Sequence, residues 1–187
     1  YSHKNGFADN ESRFDGSQVT LPKLLQQAGY QTAIVGKWHL VSEPTGFDYW
    51  DVLPGQGQYY RPEFISAQGK RSVPGYVTEI TTDLALDWLE TGRDKEQPFF
   101  LMVHHKAPHR PWDPAAEKLG EFSERTFTEP ATLLDDYANR GTAAKRAEMR
   151  IGQMVASDVK LWDETNRDRE FIYKRMSATD RGAWERY

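Results

Sequence analysis

A pair of short apolar runs, each ending in basic side chains, constrains the fold of this chain most. Residues 32–35 lead into Gly36-Lys37-Trp38-His39, and residues 99–103 lead into a cluster with three histidines and one lysine. Short apolar runs that stop abruptly are typical of buried strands, and helical spacing precedes both. This order predicts crossover units of a mostly parallel α/β sheet. Because such sheets bind ligands at the carboxyl ends of their strands, the two clusters predict one shared anion site.

Local patterns predict the remaining elements. Thr20 before Pro22 favours a helix start, since proline fits a first helical turn, and Gly29 is a typical helix stop. Apolar spacing predicts the other helices, and two short runs around a turn predict a hairpin. The expected helices cover residues 21–28, 77–90, 143–156 and 178–187, the expected hairpin joins 63–66 to 70–73, and residues 1–17 and 46–57 are expected to form loops.

Composition excludes several classes of protein. The 187 residues can form one domain or a large part of one, and their net charge of −4 is interspersed, which argues against a nucleic-acid surface. The longest apolar run is too short to span a bilayer. With no cysteine, disulfides, thiolate metal sites and a cysteine-derived nucleophile are excluded within this segment. Because the sequence starts at Tyr1 rather than methionine, we expect it to be a segment of a longer protein.

The first cluster combines a fixed cation with a proton-transfer group. In an extended segment residues i and i+2 point the same way, so Lys37 and His39 are expected to project together. Lysine suits a sulfate or phosphate oxygen, and histidine exchanges a proton near neutral pH. The pair fits an anionic ester whose bond to oxygen is broken. Taken alone, the four residues also fit a solvent-exposed lysine beside a packing histidine.

The second cluster has one strong candidate. Two prolines within residues 107–112 predict a rigid extended turn that fixes His109, which is expected to bind an anion or transfer a proton. Three histidines could also hold a metal, but His104 and His105 would face opposite sides of a strand. We therefore assign supporting roles to His104, His105 and Lys106, and no metal ligand is predicted in the chain.

Several segments in order resemble the sulfatase family, formylglycine-dependent type I, of the alkaline-phosphatase-like superfamily. Residues 29–39, Gly-Tyr-Gln-Thr-Ala-Ile-Val-Gly-Lys-Trp-His, closely match that family's second motif, G-Y-x-T-x-x-x-G-K-x-H. Residues 1–6 are similar to the stretch after its first motif, C/S-x-P-S-R…T-G. Residues 98–101 and 107–112 resemble its central strand and histidine loop, and residues 46–50 and 53–57 resemble bacterial members that act on sulfated sugars.

The resemblance implies a fold and a reaction. Residues 1–187 would form part of a sulfatase catalytic domain, an incomplete alkaline-phosphatase-like domain with a mostly parallel sheet flanked by helices. It implies hydrolysis of sulfate esters on a sulfated sugar, such as N-acetylglucosamine 6-sulfate units of a glycan. Lys37 would bind the sulfate, His39 would help release it from the covalent intermediate, and His109 would bind sulfate and protonate the leaving alcohol.

The resemblance also implies groups outside this chain. The nucleophile, a formylglycine made from Cys or Ser, would precede Tyr1, and paired aspartates would lie further upstream. An Asp-Asn pair and another lysine would follow Tyr187, completing a Ca²⁺ site of oxygen ligands. We therefore expect this chain alone to be inactive. The family usually works in the periplasm or as secreted enzymes, and the oligomeric state stays open.

The expected partner is a sulfated carbohydrate, without nucleic acid or a membrane span. Aromatic faces stack on sugar rings and arginine binds anions, so the substrate-binding candidates are His3, Tyr60, Arg110 and Trp112. Two other functions remain possible: a phosphodiesterase or phosphonate-ester hydrolase of the same superfamily, and a non-catalytic anion- or carbohydrate-binding relative. The histidine two residues after the lysine favours the sulfatase.

Overall fold

The structure, a computed structural model, describes residues 2–148 and 168–187. The chain divides into two compact units. The first comprises Tyr1–His109 with Arg175–Ala178, and the second comprises Arg110–Lys174 with Thr179–Tyr187. The first unit contains the sheet and both basic clusters.

A five-stranded sheet with two contacting helices forms the first unit. β1 lies between β2 and β5 and runs parallel to both, whereas β3 and β4 form an antiparallel hairpin beyond β2. The expected α/β class is confirmed, with two parallel and two antiparallel pairings in the described sheet. In chain order the elements are α1 (Ser2–Asn5), α2 (Leu21–Gln27), β1 (Gln31–Lys37), β2 (Tyr49–Leu53), β3 (Glu63–Ser66), β4 (Gly69–Ser72), α3 (Val77–Asp87), which continues as a π-helical turn (Trp88–Gly92), and β5 (Phe99–His104).

The core of this unit explains why β1 is its central strand. Ala33, Ile34 and Val35 have no exposed surface, because β1 is paired on both edges and covered by α2 and α3. Continuous apolar runs of this kind suit parallel strands that are buried on both faces. Gly36 ends the run with φ +94°, and a Cβ there would collide with the His104 carbonyl oxygen of β5. The close approach of the two strand ends therefore requires glycine at this position.

Most predicted elements are confirmed, and two predicted loops are wrong. The helices expected at 21–28 and 77–90 are α2 and α3, and the expected hairpin is β3–β4. The loop expected at 46–57 instead contains β2, and the loop expected at 1–17 contains α1. Glycines and a proline around β2 concealed it, and so did Asp51, a buried carboxylate within the strand.

The second unit is described mainly by short helices. The helix expected at 178–187 is confirmed as α6, and α4 covers the start of the helix expected at 143–156, whose residues from 149 onward lie outside the described ones. None of the described helices has the length and apolar character needed to cross a membrane. The elements are a 3₁₀ turn (Ala116–Lys118), α4 (Thr142–Arg146), α5 (Asp168–Tyr173) and α6 (Ala178–Arg186).

Candidate functional site

Three parallel strands end together in the first unit. Gly36 of β1 is opposite His104 of β5, and Lys37 of β1 is opposite Leu53 of β2. The segments that follow these strands therefore start at one edge of the sheet, as expected for two of them from sequence. His104 joins two of the strand ends, since its Nδ1 lies 3.1 Å from the Lys37 carbonyl oxygen.

Lys37 and His39 meet through a third side chain, Gln56. The Lys37 ammonium donates a 2.6 Å hydrogen bond to Gln56 Oε1, and Gln56 Nε2 lies 3.5 Å from His39 Nε2. The extended course expected over residues 37–39 is wrong, because His39 has φ +52° and the chain turns there. The two side chains converge because both reach toward the loop after β2.

His109 is held in the same unit by its backbone. The Tyr59 hydroxyl donates a 2.6 Å hydrogen bond to the His109 carbonyl oxygen, and the His109 amide donates a 3.0 Å bond to the Lys106 carbonyl oxygen. The second bond closes a turn, so the turn expected at 107–112 is present, and it begins at Lys106. His109 is therefore held by two backbone hydrogen bonds, one to each side of its peptide unit.

Lys106 is a buried cation that supports this loop. Lys106 is only 4% exposed. Its Nζ donates a 3.1 Å hydrogen bond to the Gln56 carbonyl oxygen, and the same Nζ lies 4.7 Å from the centroid of the Tyr59 ring. A cation over an aromatic face is attracted by the ring quadrupole. Lys106 thus connects Gln56, beside Lys37 and His39, with Tyr59, which holds His109.

Electrostatics favour the neutral form of His39. Burial is the largest cause that lowers the pKa of His39, and the charges of Lys37 and His109 lower it further. Burial also lowers the pKa of Lys37. A histidine of this kind stays able to accept a proton at a pH where an ordinary histidine begins to be protonated. The arrangement can therefore bind an anion and exchange protons with it.

The predicted site residues do not all belong to this cluster. Lys37, His39 and His109 are brought together, whereas Tyr60 is 3% exposed and packs edge-on against Tyr76, with 5.4 Å between ring centroids. His3 is exposed on α1. Arg110 and Trp112 belong to the second unit, where Trp112 is 42% exposed.

Gln56 was missed by sequence reasoning. Its signal was present, because Pro54-Gly55-Gln56-Gly57 follows directly on Leu53, the last residue of a parallel strand. Recognising β2 would have placed this loop at the ligand-binding edge of the sheet.

The described residues do not fit a metal site. Within 2–148 and 168–187, no group of three or more histidine and acidic residues could hold a metal ion. The buried Asp51 is engaged by Arg71, which donates a 2.9 Å hydrogen bond to Oδ1. The described residues therefore offer no set of ligands for Ca²⁺.

An α/β unit with a lysine and two histidines at the ends of parallel strands defines a class of anion-binding domains. This chain belongs to the sulfatase family, whose family model matches residues 1–165. The fold agrees, since the α/β sheet and its flanking helices match a solved structure with a TM-score of 0.89.

Individual relatives agree with the family. The chain is 50% identical to an N-acetylglucosamine-6-O-sulfatase from Bacteroides thetaiotaomicron, over 99% of this chain and 35% of that protein. It is 31% identical to an N-acetylglucosamine-6-sulfatase from Capra hircus, over 55% of this chain and 21% of that protein. A solved structure in complex with its substrate, D-glucosamine-2-N,6-O-disulfate, has a TM-score of 0.89 and 47% identity, over 99% of this chain and 40% of that one. The chain thus spans between 21% and 40% of the length of these relatives.

Proposed function

We propose that the protein containing this chain hydrolyses sulfate esters of sugars, with N-acetylglucosamine 6-sulfate units as its substrate. The observation that carries the proposal is the convergence of Lys37 and His39 on Gln56, with His109 close enough to influence the charge of His39. Two relatives named N-acetylglucosamine 6-sulfatases support the choice of sugar, as does the neighbour whose bound substrate is a 6-O-sulfated glucosamine.

Each residue of the cluster has a separate role in the proposal. Lys37 places a positive charge against the sulfate oxygens and stabilises the negative charge that grows there in the transition state. Neutral His39 accepts a proton at Nε2 during release of inorganic sulfate. Protonated His109 donates a proton to the oxygen of the leaving alcohol. Arg110 and Trp112, with His3, are proposed sugar contacts, whereas the burial of Tyr60 favours a packing role for its ring.

Other groups belong to the proposal only through the family. Formylglycine as nucleophile and Ca²⁺ as cofactor would both be held outside this chain, with residues 1–187 forming part of the catalytic domain. Calcium, when bound, would supply positive charge to the sulfate oxygens. We place the whole protein in the periplasm or outside the cell.

Lys37→Ala in the full-length protein tests the proposal. We expect kcat/KM for N-acetylglucosamine 6-sulfate to fall by at least about 100-fold, the usual loss for one preorganised charge. Lys70→Ala is the matched control, because Lys70 is an exposed lysine of β4 paired with Glu63 at 3.0 Å, and it should keep wild-type turnover. Near wild-type turnover in Lys37→Ala, with the control also unchanged, would refute the role of Lys37.

A further inference from the structure

Gln56 has a geometry that a packing or surface residue would not need. The residue is exposed on the loop after β2, yet its side-chain amide contacts Lys37 Nζ on one side and His39 Nε2 on the other. An exposed glutamine is free to point into solvent, and here it instead bridges the two residues of the cluster on β1 and its following turn.

The donors and acceptors of the bridge fix its orientation. A lysine ammonium can only donate, so the amide oxygen of Gln56 must face Lys37. The amide nitrogen, which can only donate, then faces His39 Nε2. A ring nitrogen that accepts carries no proton, so the hydrogen of neutral His39 resides on Nδ1.

The backbone of Gln56 is anchored as firmly as its side chain. Its carbonyl oxygen accepts the hydrogen bond from the buried Lys106, whose ammonium also lies over the Tyr59 ring. Lys106 thereby holds the backbone of Gln56 in place independently of Lys37 and His39. A bridge held from a separate buried group can orient its two partners, whereas a mobile side chain would only follow them.

We propose that Gln56 is a positioning residue that holds Lys37 Nζ in place and keeps His39 in the Nδ1-protonated form, with Nε2 free of a proton. The inference rests on the proposed function, because it gives Lys37 and His39 their roles toward a sulfate ester. Gln56 takes up no proton itself; its amide faces His39 Nε2, the nitrogen that accepts the proton in the proposed function. In the resting site it keeps this ring nitrogen, which faces the loop after β2, free of a proton.

The charges that face His39 must be included in the test. Lys37 and His109 lower the pKa of His39, and Glu43 lines with it a cavity of about 190 Å³. Gln56→Glu keeps an acceptor for Lys37 but replaces the donor toward His39 with a negative charge, which favours the imidazolium. Because activity requires neutral His39, the variant should lose activity first at acidic pH.

The experiment measures kcat/KM against pH in the full-length protein. We expect Gln56→Glu to lose about tenfold at pH ~6 and less than about twofold at pH ~8, since one pKa unit corresponds to a factor of ten. Gln56→Ala should lower kcat about tenfold at both pH values, because neither partner is held. Gln68→Glu, an exposed glutamine at the β3–β4 turn, is the matched control and should follow the wild-type profile.

A second measurement does not depend on turnover. Histidine-selective ¹⁵N NMR of the full-length protein reports which ring nitrogen carries a proton, and the His39 signal is identified as the one lost in His39→Asn. At one mildly acidic pH, we expect the Nδ1-protonated form of His39 in the wild type and the imidazolium in Gln56→Glu. An Nε2-protonated ring in the wild type, or a wild-type pH profile in Gln56→Glu, would overturn the inference. If the wild type hydrolyses no sulfate ester, the proposed function fails and the tautomer still decides the role of Gln56.

Discussion

The surroundings of His39 disfavour its protonated form. His39 is influenced by burial and by two basic neighbours, and every one of these causes lowers its pKa. A lowered pKa means that the neutral, proton-accepting form persists to more acidic pH than for an exposed histidine. Burial and the neighbouring positive charges therefore keep His39 available as a proton acceptor.

This asymmetry predicts a specific response to salt. In the full-length protein, the acidic limb of kcat/KM should lie below the ordinary range of a histidine. Raising the ionic strength screens Lys37 and His109, so the limb should move toward higher pH. It should move only in part, because burial, the largest cause, is not screened. A pH profile that does not respond to salt would show that the charges of Lys37 and His109 do not lower the pKa of His39.

Gly36 should tolerate no side chain. Its φ of +94° and the nearby His104 carbonyl oxygen predict that Gly36→Ala lowers the free energy of unfolding by about 3 kcal/mol or more. Gly55→Ala is the matched control, since Gly55 also has a positive φ, +55°, but no atom lies within 4 Å of its added Cβ. The control should cost about 1 kcal/mol from backbone strain alone. Urea unfolding of the full-length variants measures both, and equal losses would contradict the predicted collision.

At the scale of elements, one ion pair connects strands that are not neighbours. Arg71 of β4 reaches across β3 to Asp51 of β2, whose side chain is 4% exposed, and the hydrogen bonds to Asp51 raise the pKa of the Arg71 guanidinium. The hairpin is thereby attached to the parallel part of the sheet by a side chain as well as by the ladder between β2 and β3.

Removing Arg71 should leave the buried carboxylate of Asp51 without its ion-pair partner. We expect Arg71→Met to lower the free energy of unfolding by about 2 kcal/mol, between the values for exposed and fully buried pairs, because the Arg71 side chain is 43% exposed. Lys70→Met on the same strand breaks an exposed pair and should cost less than about 1 kcal/mol. Adding Asp51→Asn to Arg71→Met should recover part of the loss. Urea titrations of the full-length proteins test all three.

The elements that sequence predicted are those with a local signal. β1 and β5 are uninterrupted apolar runs, α2 and α3 show helical spacing, and the hairpin has its turn glycine. β2 was missed because its identity depends on pairing with β1 and on the partner of Asp51, neither of which is local in sequence. The same cause hid Gln56, since its two contacts are with residues 17 and 19 positions away. The convergence of Lys37, His39 and His109 was predictable because each follows a recognisable strand.

At the scale of the whole molecule, the chain belongs to the sulfatase family and spans only part of the length of its relatives. It spans 35% of the Bacteroides relative and 40% of the solved structure with the disulfated glucosamine. The basic residues of the proposed site come from the described part, within which no group of three or more histidine and acidic residues could hold a metal ion. The proposed reaction is therefore a property of the full-length protein.

The full-length protein should discriminate between two tetrahedral esters. We expect it to hydrolyse N-acetylglucosamine 6-sulfate faster than N-acetylglucosamine 6-phosphate, because a monoanionic sulfate ester needs less positive charge than a dianionic phosphate ester. Initial rates of sulfate and phosphate release at equal substrate concentration make the comparison. Faster phosphate release would contradict the choice of a sulfate ester as substrate, and binding without turnover would favour a non-catalytic relative.

Because Gln56 is exposed, the stability of the fold and the protonation of the site can change independently at this position. Its side chain contributes little to the core, so replacing it should leave the fold intact while changing the protonation of His39. Exchange at this one exposed position is therefore expected to shift the pH dependence of the site at little cost in stability. The buried lysine beneath it has no such freedom, which makes the loop a place where activity can evolve without a compensating stabilising mutation.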